Sequence, residues 1–152
     1  MHKTKLALVG AGTIGKRHLK AISQVEGVEL TAIVDNQAQA KSIAVEMDVP
    51  FFNTTKEMLR TLKPEGVIVC TPTEIHLEPV LSSLNAGAHV LVEKPITSTM
   101  EEAQEIIKTA QTASREVLVG HHRRYYGTIQ KTRKMIHDGV IGKLVGISGM
   151  WS

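Results

Sequence analysis

The chain has 152 residues, about one domain, and its 42% hydrophobic and 22% charged residues are typical of a globular protein. A single cysteine excludes an internal disulfide and fits a reducing compartment, and no apolar run approaches the ~20 residues of a membrane span. The opening MHKTKLALVGAG is not a signal peptide and the net charge is only +3, so we expect a cytoplasmic protein that binds neither membrane nor nucleic acid.

Short apolar runs alternate with amphipathic stretches, a pattern typical of βαβ units around a parallel sheet. Aromatic residues are scarce at 3%, and the apolar content comes from Val, Ile, Leu and Ala, as in a sheet buried on both faces. We therefore predict an α/β fold with about six parallel strands. The strands are predicted at 5–9, 29–34, 50–52, 66–70, 89–93 and 116–120.

Helices are predicted between these strands from their apolar periodicity. Gly87 is the expected C-terminal cap of the fourth helix, and the fifth begins with a capping box, either Ser98 with Glu101 or Thr99 with Glu102. The tail predicts one more helix, a turn at Gly139 and Gly142, and a final strand at about 144–151 without a partner in the chain. The first four helices are predicted at 14–25, 36–47, 55–62 and 74–87.

Unusual residues follow almost every predicted strand. In a parallel sheet these strand ends lie along one edge, where ligands bind at the point at which strand order reverses. The sequence therefore predicts a functional site at the carboxyl edge. The residues in question are Gly10, Gly12 and Gly15 after the first strand, Asp35 after the second, Cys70, Thr71 and Pro72 after the fourth, Lys94 and Pro95 after the fifth, and His121 to Arg124 after the sixth.

The stretch GAGTIG (10–15) fits the pattern G-x-G-x-x-G, follows a strand, opens a helix and precedes an acidic residue, Asp35, by 20 positions. Glycines in this pattern allow a tight turn and a close approach of pyrophosphate to the backbone at a helix N-terminus. A structural turn is the alternative. The Asp35 carboxylate suits the adenosine ribose hydroxyls and would repel a 2′-phosphate, so NAD is expected rather than NADP, although Asp35 could also cap a helix.

Lys94 ends an apolar strand and is followed by Pro95. A lysine beside a substrate can exchange a proton with an oxygen that changes between alcohol and carbonyl; a lysine that merely reaches solvent at a strand end is the alternative. The Lys94–Pro95 bond is a candidate cis peptide.

The remaining candidate residues are a basic stretch, the histidines and the cysteine. The stretch GHHRRYYG (120–127) is expected to contact substrate or cofactor rather than nucleic acid, with a solvated turn as the alternative. His18 is expected to be structural, His76 could border the cofactor, and Cys70 packs in the interior. The seven histidines show no spacing typical of a metal site.

Taken as a set, LALVGAGTIGKRH, VDN, VCTPTEIH, NAGAHVLVEKPIT and GHHRRY follow one another in an order that resembles the Gfo/Idh/MocA family of oxidoreductases. The resemblance covers the whole chain, and the Glu-Lys-Pro step is its specific part. It implies a doubly wound Rossmann-type domain at 1–123, followed at 124–152 by a connecting helix and the start of a second α/β domain. It also implies hydride transfer between a nicotinamide and a CH–OH carbon of a sugar, cyclitol or related polyol.

The resemblance also implies residue roles. Lys94 would be the catalytic lysine and would contact substrate and cofactor. His122 and Arg123 would contact substrate or nicotinamide. The residues implied along the cofactor are Gly10, Gly12, Thr13, Ile14, Gly15, Asp35, Cys70, Thr71, Pro72, His76, Glu93 and Lys94.

Proteins of this kind are more than twice as long as this chain, so most of the second domain is expected to be missing. We expect the chain to be the cofactor half of a dehydrogenase, inactive by itself; a stand-alone NAD(P)-binding module without catalysis is the alternative. The apolar final strand predicts a homo-oligomer that pairs through it.

Overall fold

Six parallel strands form the centre of the computed structural model, which describes residues 2–150. Their spatial order is β3-β2-β1-β4-β5-β6, so the chain winds outward from β1 in its first half and from β4 in its second. The predicted doubly wound α/β sheet is confirmed. The strands are β1 Thr4–Val9, β2 Val28–Val34, β3 Phe51–Phe52, β4 Gly66–Val69, β5 His89–Val92 and β6 Val117–Val119.

Helices connect the strands and cover both faces of the sheet. Alternate strand residues point to opposite faces, so Ala7 and Val9 enter one apolar layer and Leu8 enters the other. The first layer also contains Met58, Leu84 and Ile106, and the second contains Leu19, Ile22, Ala40 and Ala44. The helices are α1 Thr13–Ile22, α2 Ala40–Glu46, α3 Thr55–Thr61, α4 Leu77–Asn85, α5 Met100–Ala113 and α6 Gly127–His137.

Three helices, α1, α2 and α4, are clearly shorter than predicted, each for a local reason. Before α4, residues Thr73–Ile75 form a separate 3₁₀ turn. After α1 the N–H groups of Gln24 and Val25 bond to carbonyls only three residues back, and Val25 is 54% exposed rather than on the buried face. Residues 36–39 stay outside α2 because the Asp35 carboxylate accepts a hydrogen bond from the Gln37 N–H at 2.8 Å, which holds a turn there.

The caps of the later helices agree with the sequence. Gly87 follows α4 with φ +86°, and its N–H donates to Leu84 at 2.9 Å. At the start of α5 the Thr99 hydroxyl accepts from the Glu102 N–H at 3.3 Å, and the Glu102 carboxylate accepts from the Ser98 N–H at 3.2 Å. The second of the two predicted capping registers is therefore the one that forms.

The chain forms two compact units, of which the first ends at Gly120 and the second begins at His121. The second unit contains a 3₁₀ turn, His122–Tyr125, and then α6. Gly139 and Gly142 both have positive φ, as a turn requires. The domain boundary predicted at 123/124 refers to a longer architecture and stays a prediction.

The final strand predicted at about 144–151 is wrong over the residues that the structure describes, 144–150, which carry no strand. A β-strand is stabilised by backbone pairing with a neighbour, and all six strands of the sheet lie within residues 4–119. Residue 151 lies outside the described residues.

Candidate functional site

The first residue after each of five strands is fixed by one further backbone hydrogen bond of the sheet, and four of these residues, Gly10, Asp35, Cys70 and Glu93, were predicted for the site. Each donates its backbone N–H to a residue at the end of a neighbouring strand. Their main chains are therefore held as firmly as the sheet itself, along its carboxyl edge. The donors and acceptors are Gly10 to Val34, Asp35 to Phe52, Cys70 to Val9, Glu93 to Val69, and Gly120 to Val92, at 2.7–3.1 Å.

The glycine turn after β1 packs tightly on one side and is open on the other. Gly10 has φ +92°, and a Cβ there would lie 2.7 Å from the Cys70 carbonyl carbon and 2.8 Å from the Thr71 nitrogen. A Cβ on Gly15 would lie 2.0 Å from the Gly10 oxygen. A Cβ on Gly12 would meet nothing within 4 Å. Gly10 and Gly15 thus let β1, β4 and α1 approach, and Gly12 leaves free space in front of the turn.

That space lies at the N-terminus of α1. Gly12 is the N-cap and has no side chain that could accept from the first N–H groups of the helix, and the first turn contains no acidic residue. Thr13 and Ile14 are exposed. Unpaired N–H donors and the positive end of the helix dipole therefore face the space beside Gly12, an arrangement that binds anions.

The Asp35 carboxylate is held in place by two backbone donors. Its Oδ2 accepts from the Ala11 N–H at 2.7 Å and its Oδ1 accepts from the Gln37 N–H at 2.8 Å. A carboxylate offers about four lone-pair positions, so two remain for hydroxyl donors of a ligand. The sequence indicated Asp35 but not the two N–H groups that orient it, because they depend on the turn geometry.

An open cleft of about 490 Å³ joins these features. Besides the glycine turn and Asp35 it is lined by the residues after β4 and by residues that the sequence analysis missed. Among residues 2–150, Thr71 Oγ1 is the buried side-chain oxygen or nitrogen without a hydrogen-bond partner. The missed residues follow β3 or lie in the 3₁₀ turn after β4 and the first turn of α4, positions near strand ends that could have indicated them: Asn53, Thr54, Thr55, Ile75, Glu78 and Pro79.

Glu93 forms a half-buried cluster at the end of β5. His18 Nε2 lies 2.9 Å from Glu93 Oε1, with side-chain exposures of 21% and 15%. A Cβ on Gly120 would lie 3.0 Å from the same carboxyl group. Burial, and then the negative charge of Glu93, raise the pKa of the Cys70 thiol to about 12. Cys70 therefore stays protonated and is not a nucleophile.

Lys94 follows Glu93 and reaches solvent. The Lys94–Pro95 peptide is cis, as the sequence suggested, and the Lys94 N–H donates to Glu93 Oε2 at 3.2 Å. Among the residues that the structure describes, nothing forms a hydrogen bond or an ion pair with the Lys94 amine. The amine is therefore available to a ligand at the carboxyl edge.

His76 is buried, with 1% of its surface exposed. Both ring nitrogens lie within hydrogen-bond distance of backbone carbonyl oxygens, of Thr71 on one side and of Pro95 and Ile96 on the other. A direct contact between this ring and a cofactor stays a prediction.

His122 and Arg123 belong to the second unit, where they lie in the 3₁₀ turn and are exposed. The His122 ring packs against Tyr126, with centroids 5.8 Å apart. Their predicted contacts with substrate stay predictions. Within residues 2–150 we find no group of three His, Cys, Asp or Glu side chains that could hold a metal ion, and no helix that could cross a membrane.

The order of these features along the chain matches a known family. The family model of the Gfo/Idh/MocA oxidoreductases, a family with an NAD-binding Rossmann fold, matches residues 4–121. The chain belongs to this family. The predicted resemblance is thereby confirmed, and the match covers the whole sheet and every site residue of the first unit.

Two curated relatives illustrate the Gfo/Idh/MocA family. The chain is 32% identical over 148 residues to 4-carboxy-2-hydroxymuconate-6-semialdehyde dehydrogenase from Sphingobium sp., which covers 96% of this chain and 46% of that protein. It is 32% identical over 143 residues to D-glucoside 3-dehydrogenase from Escherichia coli, which covers 92% of this chain and 41% of that protein. The chain thus spans less than half the length of these Gfo/Idh/MocA relatives.

Solved structures of Gfo/Idh/MocA-like dehydrogenases superpose closely. The WlbA dehydrogenase from Bordetella pertussis, in complex with NADH and UDP-GlcNAcA, matches with a TM-score of 0.89 and 28% identity over 93% of this chain and 44% of that one. The scyllo-inositol dehydrogenase from Lactobacillus casei, with NAD(H) and scyllo-inositol bound, matches with a TM-score of 0.88 and 25% identity over 93% and 43%. Both are dehydrogenases with a nicotinamide cofactor bound.

Proposed function

We propose that this chain binds NAD in the cleft at the carboxyl edge and is the cofactor half of an NAD-dependent oxidoreductase. The observation that carries the proposal is the open space at Gly12, which lies beside the uncapped start of α1 in a cleft that also contains Asp35. A dinucleotide needs both an anion site for its pyrophosphate and a carboxylate for its ribose. The buried Thr71 hydroxyl that lacks a partner also fits a polar ligand in this cleft.

In this proposal the chain holds NAD mainly through its backbone. The pyrophosphate accepts from N–H groups in the turn and first helical residues, Gly10 to Gly15. The adenosine ribose donates to Asp35, whose carboxylate cannot swing aside without losing its bonds from Ala11 and Gln37. A 2′-phosphate would therefore meet a fixed negative charge, and the cleft selects NAD over NADP.

The proposed reaction is the oxidation of a CH–OH carbon in a sugar, cyclitol or related polyol, or its reverse. NAD bound in the cleft would supply the hydride acceptor for that carbon. Lys94 takes part in the proton transfer at the substrate oxygen, since its amine has no partner in the described part of the chain. His122 and Arg123 contact the substrate. The sugar and cyclitol ligands of the similar dehydrogenases support this substrate class.

A stand-alone cofactor-binding module without catalysis is the second candidate. Its support is that the chain spans less than half the length of each of these two relatives. The two candidates differ in turnover: polyol-dependent reduction of NAD by this chain alone would contradict the module.

We further infer a cytoplasmic homo-oligomer that does not bind nucleic acid. The single cysteine supports a reducing compartment, and the small excess of 18 basic over 15 acidic residues gives little attraction to phosphate backbones. Apolar side chains at 140–150, such as Val145 at 95% exposure and Ile147 at 79%, support association.

Calorimetric titration with NADH and NADPH tests the cofactor proposal. We expect micromolar NADH binding and NADPH binding weaker by about tenfold, or about 1.4 kcal/mol. Asp35→Ala should bring the two affinities close together, whereas Glu46→Ala, which removes an exposed charge in α2, should leave their ratio unchanged. Absence of binding by the wild-type chain would contradict the proposal, and an unchanged ratio in Asp35→Ala would remove Asp35 from the ribose site.

A further inference from the structure

His76 lies where two loops of the carboxyl edge come together. It follows the 3₁₀ turn Thr73–Ile75 and directly precedes α4. Its Nε2 lies 2.8 Å from the Thr71 carbonyl oxygen, and its Nδ1 lies 3.1 Å from that of Pro95 and 3.2 Å from that of Ile96. The ring thus spans the distance between the loop after β4 and the loop after β5.

This contact is the polar connection between the two loops. In the part of the chain that the structure describes, no backbone hydrogen bond joins residues 71–75 to residues 94–97. The ring is 1% exposed, so water does not compete for its nitrogens. A neutral imidazole donates from one nitrogen and only the imidazolium donates from both, so hydrogen bonds to the two loops at the same time require an N–H on each ring nitrogen.

We propose that His76 is a positioning residue that joins the cofactor cleft to the loop that carries Lys94. It acts through the backbone on both sides rather than by touching the reacting atoms. The inference rests on the proposed function for the roles of cleft and lysine. The link itself rests only on the three contacts of the ring.

The contacts on either side of Lys94 show what the link positions. Before Lys94, the Glu93 N–H donates to Val69 at 2.9 Å and ties the chain to β4. After Lys94, the carbonyls of Pro95 and Ile96 meet the His76 ring. Lys94 is therefore held from both directions, by the sheet and by the histidine.

The other end of the link acts on the cleft wall. Thr71 lines the cleft, and its carbonyl is the group that meets His76 Nε2. Its hydroxyl is buried and has no partner within residues 2–150. Loss of the carbonyl contact would therefore shift Thr71 within the wall of the cleft that we propose for the cofactor.

Two amide variants separate the ends of the link, because the amide nitrogen of Asn overlaps Nδ1 of histidine and that of Gln overlaps Nε2. His76→Asn keeps a donor for Pro95 and Ile96, His76→Gln keeps a donor for Thr71, and His76→Leu keeps neither. Three quantities are measured for each variant: NADH affinity by calorimetry, backbone amide shifts of Ile96 and Thr97 by NMR, and stability to urea.

We expect His76→Gln to bind NADH within about twofold of the wild type while the amide signals of Ile96 and Thr97 move. We expect His76→Asn to keep those signals and to lose NADH affinity by about fivefold. His76→Leu should show both changes. If it fails to fold, the opposite patterns of the Asn and Gln variants still decide the matter.

If His76 had a purely structural role, all three variants would be less stable to urea, and the Asn and Gln variants would not differ in NADH affinity or in the amide shifts of Ile96 and Thr97. This result would overturn the proposal. The proposal would also be overturned if only one of the two variants kept its wild-type property, that is, NADH affinity in His76→Gln or the amide signals in His76→Asn. The ring would then hold one loop and would not join two. Failure of the wild-type chain to bind NADH would count against the proposed function only. The amide shifts of Ile96 and Thr97, and of Thr71 in the Gln variant, would still test the link.

Discussion

Replacement of Gly12 by alanine should separate cofactor binding from folding. The added methyl group meets no atom within 4 Å and the φ of −68° suits alanine, so the fold accepts it. Alanine lowers the conformational entropy of the unfolded chain relative to glycine, which stabilises the folded state by ~0.4–1 kcal/mol. Alanine is also a poorer N-cap than glycine, which destabilises the folded state by about 0.5–1 kcal/mol. These effects nearly cancel, and we expect a change in unfolding free energy below about 1 kcal/mol.

The same methyl group fills the space that pyrophosphate would enter. Hydrogen bonds to charged groups are worth about 1.5–3 kcal/mol, so loss of one such bond lowers NADH affinity by at least about tenfold. Gly10→Ala is the matched control, since its φ is +92° and its Cβ would lie 2.7 Å from backbone. It should cost more than about 3 kcal/mol of stability.

Urea unfolding and calorimetric titration of the two variants check these values together. Wild-type NADH affinity in Gly12→Ala, with unchanged stability, would refute the reasoning, because it would mean that the cofactor does not approach Gly12. A stable Gly10→Ala chain would show that the turn adapts and that the close contact with the backbone after β4 is not needed.

Three further outcomes are expected. The pKa of Cys70 is about 12, against 9.0 for a free thiol, so Cys70 should react with iodoacetamide at pH 8 about a thousandfold more slowly in the folded than in the unfolded chain. The free energy of unfolding should fall as the pH rises from 9 towards 12, because the unfolded chain loses the thiol proton first. A fast reaction of the folded chain would contradict the burial of Cys70. Ile106→Ala should cost ~2–5 kcal/mol in urea unfolding and its exposed neighbour Ile107→Ala below about 1 kcal/mol, because only Ile106 is in the core; equal costs would contradict the assigned face of α5. Sedimentation should show self-association that increases with concentration and is weakened by Val145→Asp; a wild-type chain that stays monomeric would exclude association through 140–150.

The sheet could be predicted because its signals are local. Most of the apolar runs are long enough for one strand and are followed within two residues by glycine, proline or a charged residue, so the strand ends and the carboxyl edge could be read from the sequence. The same holds for the positions of the glycine turn, of Asp35 and of Lys94, which follow strand ends.

The parts that the sequence did not reveal depend on contacts between distant residues. The contact of His18 Nε2 with the Glu93 carboxylate joins positions 75 residues apart, and no periodicity indicates it. The His76 contacts with Pro95 and Ile96 are of the same kind. The final strand was predicted wrongly for the related reason that an apolar run becomes a strand only beside a partner.

The pairing of β1 with β4 has a consequence for how this fold is completed. Leu6 pairs with Gly66 and Val9 with Val69, so the central pair of the sheet closes a loop of roughly sixty residues. The cleft takes the glycine turn from one half of the chain and Thr71 from the other, so it exists only once that pair has formed. A ligand bound there shifts the folding equilibrium by RT ln(1 + [L]/Kd). A bound dinucleotide would thus stabilise the pairing of the two half-sheets, and a higher dinucleotide concentration would lower the fraction of molecules in which the two half-sheets are unpaired.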